Sequence, residues 1–235
     1  MQTIKFNRLN LSNEDFLLDM GCGEGRHSIG AHISTEANIL GFDLSFKDLK
    51  IAKERLNDFD TSQIETICQF ASANIISIPL SDSSLDAVIC SEVLEHVDSP
   101  QESIKELIRV LKPGGVLALS VPRYLPELIC WKLSKEYSQT PGGHVRIFKH
   151  KQLKNLGTMN GLKYSSFHWA HGLHSPYWWL QCLLWNSRES SKIIKIYHKF
   201  LVWDLMKQPL ITRILELILT PFIGKSLVMY FKKPN

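Results

Sequence analysis

A short apolar run that ends in a glycine-rich turn, answered by a carboxylate at the end of the next apolar run, constrains this chain more than any other feature. Phe16, Leu17 and Leu18 have the continuous apolar character of a buried parallel strand. LDMGCGEG at 18–25 follows, and Gly21, Cys22, Gly23 and Gly25 let the backbone turn closely into a helix with no side chains where a ligand must approach. The second run, Ile39, Leu40 and Phe42, closes on Asp43, where a carboxylate can accept hydrogen bonds from two ribose hydroxyls. Turn and carboxylate together describe a pocket for a nucleoside-bearing cofactor.

Apolar runs alternate with amphipathic stretches as far as residue 121, the pattern of a parallel sheet with helices on both faces. Strands are expected near 16–20, 37–42, 65–70, 85–91 and 115–121, and helices over 25–35, 46–58 and 100–111. Ser99 and Pro100 open the last helix, and Lys112, Pro113, Gly114 and Gly115 close it. Beyond Pro122 the pattern is broken at Pro141, Gly142 and Gly143, and five of the six tryptophans lie past residue 160. A helix over 148–158 and strands near 163–170 and 225–231 would complete the sheet. The core is therefore expected over 1–171 and 224–235, with 172–223 an insertion that needs its own helices.

Five cysteines with no C-x-x-C spacing support neither a disulfide framework nor a zinc knuckle and point to a reducing, cytoplasmic setting. MQTIKFNRLN lacks the apolar core of a secretory signal, and Arg213, Glu216, Pro221 and Lys225 interrupt the most apolar late stretch. A net charge of +4 is too small to imply nucleic acid, but it is unevenly placed. Residues 192–235 carry eight Lys or Arg against Asp204 and Glu216, interleaved with Tyr197, Phe200, Trp203 and Phe222. Such a segment suits either a solvated helix face or peripheral contact with an anionic membrane surface.

A dinucleotide fingerprint would place a third glycine where Arg26 stands, so G-x-G-x-G disfavours a nicotinamide cofactor. LDMGCGEG, GFDLS at 41–45, ANIISIPLSDSSLDAVICSEVLEHV at 73–97 and LKPGG at 111–115 together resemble the successive motifs of class I S-adenosylmethionine-dependent methyltransferases of type 11. The resemblance implies a Rossmann-like, mostly parallel seven-stranded sheet with an antiparallel last strand and helices on both faces. It also implies S-adenosylmethionine as cofactor. On it, Asp19, Gly21, Cys22 and Gly23 would hold the methionine moiety, Asp43 the ribose, and Leu44 would lie against the adenine. The acidic residue that usually takes the adenine amino group is replaced by Asn74, a weaker neutral acceptor, with the Ile75 amide beside it. Ser91 would line the floor beneath the transferable methyl group.

Methyl transfer from a sulfonium needs alignment and exclusion of water, and a base only where the acceptor is a poor nucleophile. His144 in the glycine-rich PGGHVRIF, with Arg146 two residues on, is the candidate catalytic pair; anchoring the loop is the simpler role for both. His168, His171 and His174 in HWAHGLH have no Cys, Asp or Glu among them, so no metal is expected. In the fold resembled, the insertion leaves and re-enters on the cofactor side. It would then form an acceptor lid with 123–137, and Tyr124, Trp131, Tyr177, Trp178 and Trp179 would suit a sugar face or a greasy acceptor, or simple core packing. The expected acceptor is a small or lipid-linked molecule. CSEV at 90–93 replaces the Asn/Asp-Pro-Pro-aromatic turn of base-amino methylases, which disfavours RNA or tRNA; a non-catalytic cofactor-binding protein is the remaining rival.

Overall fold

The computed structural model describes residues 2–61, 63–140 and 142–235, so Pro141 in the glycine-rich loop lies outside the described residues. The chain runs β1 (Phe16–Met20), α1 (Arg26–Ser34), β2 (Asn38–Asp43), α2 (Phe46–Leu56), β3 (Cys68–Ser72), β4 (Leu85–Ser91), α3 (Pro100–Val110), β5 (Leu111–Pro122) and α4 (Tyr124–Leu133). It continues through α5 (Lys135–Ser138), α6 (His150–Thr158), β6 (Lys163–Ala170), α7 (His174–Leu183), α8 (Lys192–Lys207) and α9 (Leu210–Ile223) to β7 (Ser226–Lys232). The strands form a seven-stranded sheet in the order β3-β2-β1-β4-β5-β7-β6. The first five are mutually parallel, and β7 runs antiparallel to both neighbours.

Strand alternation sends successive side chains into separate cores. Leu18, Val88 and Leu117 join one apolar cluster, while their neighbours Leu17, Ile89 and Ala118 join the other. Both faces are covered, which is why these strands read as unbroken apolar runs. Helix α3 starts with Pro100 in its first turn, where a missing N–H is harmless, and buries Ser103, Ile104, Leu107 and Val110 along one stripe.

Two boundaries depart from expectation. Leu111 and Lys112 begin β5 where helix-closing residues were expected, because Leu111 pairs with Leu85 across an irregular step in the β4 ladder. Gly114, at φ 80°, then donates its N–H to the Lys233 carbonyl, and Gly115 accepts from Lys233 in return. Strand β3 begins at Cys68, three residues later than the apolar pattern suggested.

The strand order reverses between β1 and β4, and ligands of open parallel sheets bind outside the carboxyl ends of strands at such a point. Ser226, at the start of β7, pairs with Pro122 and Ala170 at the ends of β5 and β6. The excursion containing α7, α8 and α9 therefore leaves and returns at that same edge. All five cysteines are free thiols. Ile104→Ala, which empties a fully buried site on α3, should destabilise the fold by about 2–5 kcal/mol. Calorimetry would read this as a fall of several degrees in Tm, and an unchanged Tm would contradict the packing described.

Candidate active site

The turn after β1 is stapled to the end of β2. The amides of Gly21 and Cys22 both donate to the Phe42 carbonyl, at 2.7 and 3.0 Å. Gly23 donates its N–H to Asp43 Oδ2 at 2.8 Å, and Ser45 donates to Asp43 Oδ1 at 2.8 Å. A carboxylate has about four acceptor positions, so Asp43 keeps room for two hydroxyl donors while it fixes the turn. Gly21 has φ 77°, and a Cβ there would stand 2.2 Å from Val93 Cγ2. Gly23 has φ 51° and faces open space. The turn is closed toward the protein and open toward solvent.

Asp19 lies beneath it, 1% exposed. Its Oδ2 accepts from Ser28 Oγ at 2.7 Å, while Oδ1 has no hydrogen-bond partner among the described residues. Burial raises this carboxyl from its ordinary value of 3.8 to about 6, against the opposing pull of the Ser28 bond and of Arg26. Cys22 is buried, and desolvation together with the charges of Asp19 and Asp43 pushes its thiol far above the ordinary range, so it packs and does not attack.

Around this turn, Leu44 projects with 67% of its surface exposed. Asn74 is exposed and closes its own small turn, its Oδ1 accepting from the Ile76 amide at 3.2 Å, and the Ile75 side chain is buried in the core. Ser91 is buried at the end of β4 and shares a 2.8 Å hydrogen bond with Ser120 Oγ, which in turn bonds Glu92 Oε1 at 2.9 Å. Glu92 itself sits at φ 58°, a left-handed conformation uncommon for a residue with a side chain.

The segment after Glu92 connects the glycine turn to the loop of His144. Val93 fills the space behind Gly21, and the Glu95 carbonyl accepts from the Val145 amide at 2.9 Å. His144 Nδ1 lies 2.6 Å from Glu127 Oε1. An ionised carboxylate can only accept, so Nδ1 carries the proton and Nε2 presents a lone pair. Glu127 is buried on α4, where it also accepts from Trp131 Nε1 at 3.0 Å and Tyr137 Oη at 3.3 Å. Burial alone would raise its carboxyl, but the bond and charge of His144, with Lys225 and Tyr137, hold it below the ordinary range.

His96 is fixed the same way, its Nδ1 standing 3.0 and 3.1 Å from the carbonyls of Gly142 and Gly143, with its ring 4.9 Å from that of His144. Glu95 is fully buried with neither carboxyl oxygen bonded among the described residues, and desolvation plus the charge of Glu92 drives its proton affinity well above normal. Ligand atoms of Glu95, His96 and His144 fall within 4.8 Å of one another.

Arg146 has a different task from the catalytic one expected. Its guanidinium donates to the carbonyls of Leu94, Val97 and Asp98 and so anchors its loop to the turn after β4. In HWAHGLH, His168 donates to the Thr3 carbonyl at 3.1 Å and His171 lies 3.0 Å from Thr3 Oγ1; both rings hold the N-terminal segment. Trp178 meets Tyr137 at a tilt of 53° and lies beneath the Lys225 ammonium, while Tyr177 meets Tyr197 on α8. Tyr124 sits apart from them, beneath the Lys149 ammonium. Trp179 donates to the Pro126 carbonyl at 3.0 Å and docks α7 on α4. A cleft of about 810 Å³ at Asn13, Phe16, Asn38 and Thr66 opens at the opposite, amino end of the strands, away from all these groups. Glu127 and Tyr137 escaped the sequence reading; the one available signal was a lone carboxylate in the apolar stretch YLPELICW.

Residues 18–119 match the model of a family described as a methyltransferase domain. A demethylmenaquinone methyltransferase of Listeria welshimeri is 31% identical over 133 residues, 56% of this chain and 53% of its own length. The methyltransferase GfsG of Streptomyces halstedii is 30% identical over 115 residues, 49% of this chain and 40% of its own. The chain thus spans about half the length of these curated relatives. Among solved structures, a putative methyltransferase of Bacillus halodurans aligns with TM-score 0.65 at 17% identity, covering 98% of this chain and 97% of its own. A geranyl diphosphate methyltransferase in complex with S-adenosylmethionine aligns with TM-score 0.65 at 14% identity, covering 97% and 82%. At such identities these two likenesses speak to the fold alone.

The residues present fit S-adenosylmethionine as a cofactor. The unpartnered Asp19 oxygen suits an ammonium group, the bare glycine turn admits a ligand against backbone, and the spare acceptor positions of Asp43 suit a ribose diol.

S-adenosylhomocysteine at 100 times its Kd should stabilise the fold by about 2.7 kcal/mol. Asp43→Asn should shrink the thermal shift at the same ligand concentration, and an undiminished shift would remove Asp43 from the ribose. Asp19 gives a pH dependence whose sign is fixed. Its native pKa of about 6 exceeds the unfolded 3.8, so its protonation favours the native state, and that stability is lost as pH rises from about 4 to 6. A bound ammonium favours the charged carboxylate instead. Affinity for S-adenosylhomocysteine by calorimetric titration should therefore rise between pH 5 and 7 and lose that dependence in Asp19→Asn; a flat wild-type profile would refute the contact.

Proposed function

We propose that this chain, whose residues 18–119 match a methyltransferase-domain family, is a class I S-adenosylmethionine-dependent methyltransferase of type 11 that methylates a small or lipid-linked acceptor through a weakly nucleophilic group such as a hydroxyl, with His144 as general base. The observation that carries this reading is the Glu127–His144 pair: a buried carboxylate fixes the imidazole tautomer, and Nε2 has no hydrogen bond among the described residues. The bound cofactor supplies an electrophilic methyl carbon. Everything else falls to the chain.

Gly21, Gly23 and Asp43 position the donor, and Val93 behind Gly21 keeps the turn from receding. Ser91, held through Ser120 to Glu92, forms a small polar floor at the end of β4. His144 Nε2 takes the acceptor proton as the nucleophile forms its bond, and Glu127 stabilises the resulting imidazolium without itself being protonated. Tyr137 and Trp178 wall this side and exclude water, which strengthens the charge interactions within. The domain division at 172–223 and the lid role of α7 belong to this proposal. The aromatic walls favour a small or lipid-linked acceptor over RNA.

His144→Asn should lower kcat by about 10²–10⁴ with little change in the Kd for S-adenosylhomocysteine, and Glu127→Gln should reproduce part of the loss. Full turnover by His144→Asn with an acceptor recovered from labelled extract would dismiss the base. Turnover should also survive chelation. Activity lost to chelator and restored by a divalent ion would instead assign Glu95, His96 and His144 as metal ligands.

A further inference from the structure

Helix α9 is inside out. Thr212, Glu216 and Thr220 recur every four residues and form the face turned to the protein. Thr212 is 1% exposed, and Glu216 accepts from the amides of Gly172 and Leu173 and from Thr220 Oγ1. The face turned to solvent is aliphatic and aromatic: Leu210, Leu217 and Phe222 are each more than 70% exposed, and Ile211 and Ile218 more than half. A surface helix stabilised by burial shows the opposite polarity. Helix α8 adds exposed Ile196, Trp203 and Met206, with Lys192, Lys195 and Lys199 interleaved at i, i+3 and i+7.

We propose that the outward faces of α8 and α9 dock on an anionic phospholipid bilayer, so that the acceptor is drawn from that bilayer; the second clause rests on the methyltransferase reading above. Aliphatic residues mixed with tryptophan and lysine are the composition of helices that lie in the headgroup region. No helix among the described residues is long and apolar enough to cross a membrane, so the contact lies on the surface. Charge selects the partner. From 192 to 225 the basic residues outnumber Asp204 and Glu216, and both acids face inward, Asp204 buried and Glu216 bonded to backbone amides. A second copy of the chain would set lysines against lysines across a two-fold axis, whereas anionic headgroups neutralise them.

The surface is also continuous with the site. Trp203, Phe200, Tyr197 and Tyr177 follow one another at centroid separations of 5.8–6.1 Å. From Tyr177 the series passes to Trp178 at 6.1 Å, to Tyr137 at 6.2 Å and to His144 at 6.1 Å. An acceptor with an apolar tail would have ring faces to follow from the bilayer edge to the imidazole.

The test uses the full chain with vesicles of phosphatidylcholine alone and with one-third phosphatidylglycerol. Co-sedimentation should occur with the anionic vesicles, weaken strongly at 0.5 M salt, and fall on the order of tenfold or more in the triple variant Leu210→Ser, Leu217→Ser, Phe222→Ser. That variant changes exposed side chains only and should keep both its Tm and its thermal shift with S-adenosylhomocysteine. Absence of binding to anionic vesicles, undiminished binding by the triple variant, or a concentration-dependent dimer that the same variant abolishes would each overturn the proposal. The methyltransferase reading fails separately: a chain that binds vesicles but shows no thermal shift with S-adenosylhomocysteine refutes the cofactor, not the docking face.

Discussion

The staple between the β1 turn and the end of β2 is the contact on which the site depends. Two amides converge on the Phe42 carbonyl and a third on the Asp43 carboxylate, so the turn cannot move without breaking three hydrogen bonds at once. Val93 then prevents Gly21 from carrying any side chain and ties the turn to the segment after β4. The glycine turn and the segment after β4 are thereby fixed relative to one another by backbone and one valine. Preorganisation of this kind is what an in-line displacement needs, because alignment can supply about 7–11 kcal/mol of the barrier.

Three buried carboxyls mark the carboxyl edge of the sheet, and they are treated differently. Glu127 is fully partnered by His144, Trp131 and Tyr137 and stays ionised. Asp19 accepts one hydrogen bond and Glu95 none among the described residues, its Oε1 standing 4.0 Å from His96 Nε2, and burial raises both. An unpartnered buried carboxyl is expensive, and a fold that keeps one commonly does so where a ligand completes it. The partnered acid fixes an imidazole, and the half-partnered one keeps an acceptor oxygen open.

The excursion between β6 and β7 combines two demands in one stretch of chain. Its inner residues, among them Trp179 against Pro126 and Glu216 against Gly172 and Leu173, hold it to the core through polar contacts. Its outer residues are left apolar, reversing the usual partition of a surface helix. The polar inner face fixes which way the apolar face must point.

The sheet and the glycine turn beside Asp43 were legible in the sequence. Strands buried on both faces need unbroken apolar runs, so β1, β2 and β4 lie at or within a residue of the 16–20, 37–42 and 85–91 expected. A tight turn open to a ligand needs glycines, so Gly21 and Gly23 announced themselves. Local chemistry of that kind is written locally. What the tertiary structure alone decided was pairing between distant segments: that Asp43 clips the turn as well as offering acceptors, that Arg146 is occupied by three carbonyls, and that Glu127, 17 residues before His144, sets its tautomer. It also decided which way α9 faces. Leucines and isoleucines at helical spacing read as a buried stripe in any one-dimensional pattern, and only the contacts of Thr212, Glu216 and Thr220 reveal that the stripe looks outward.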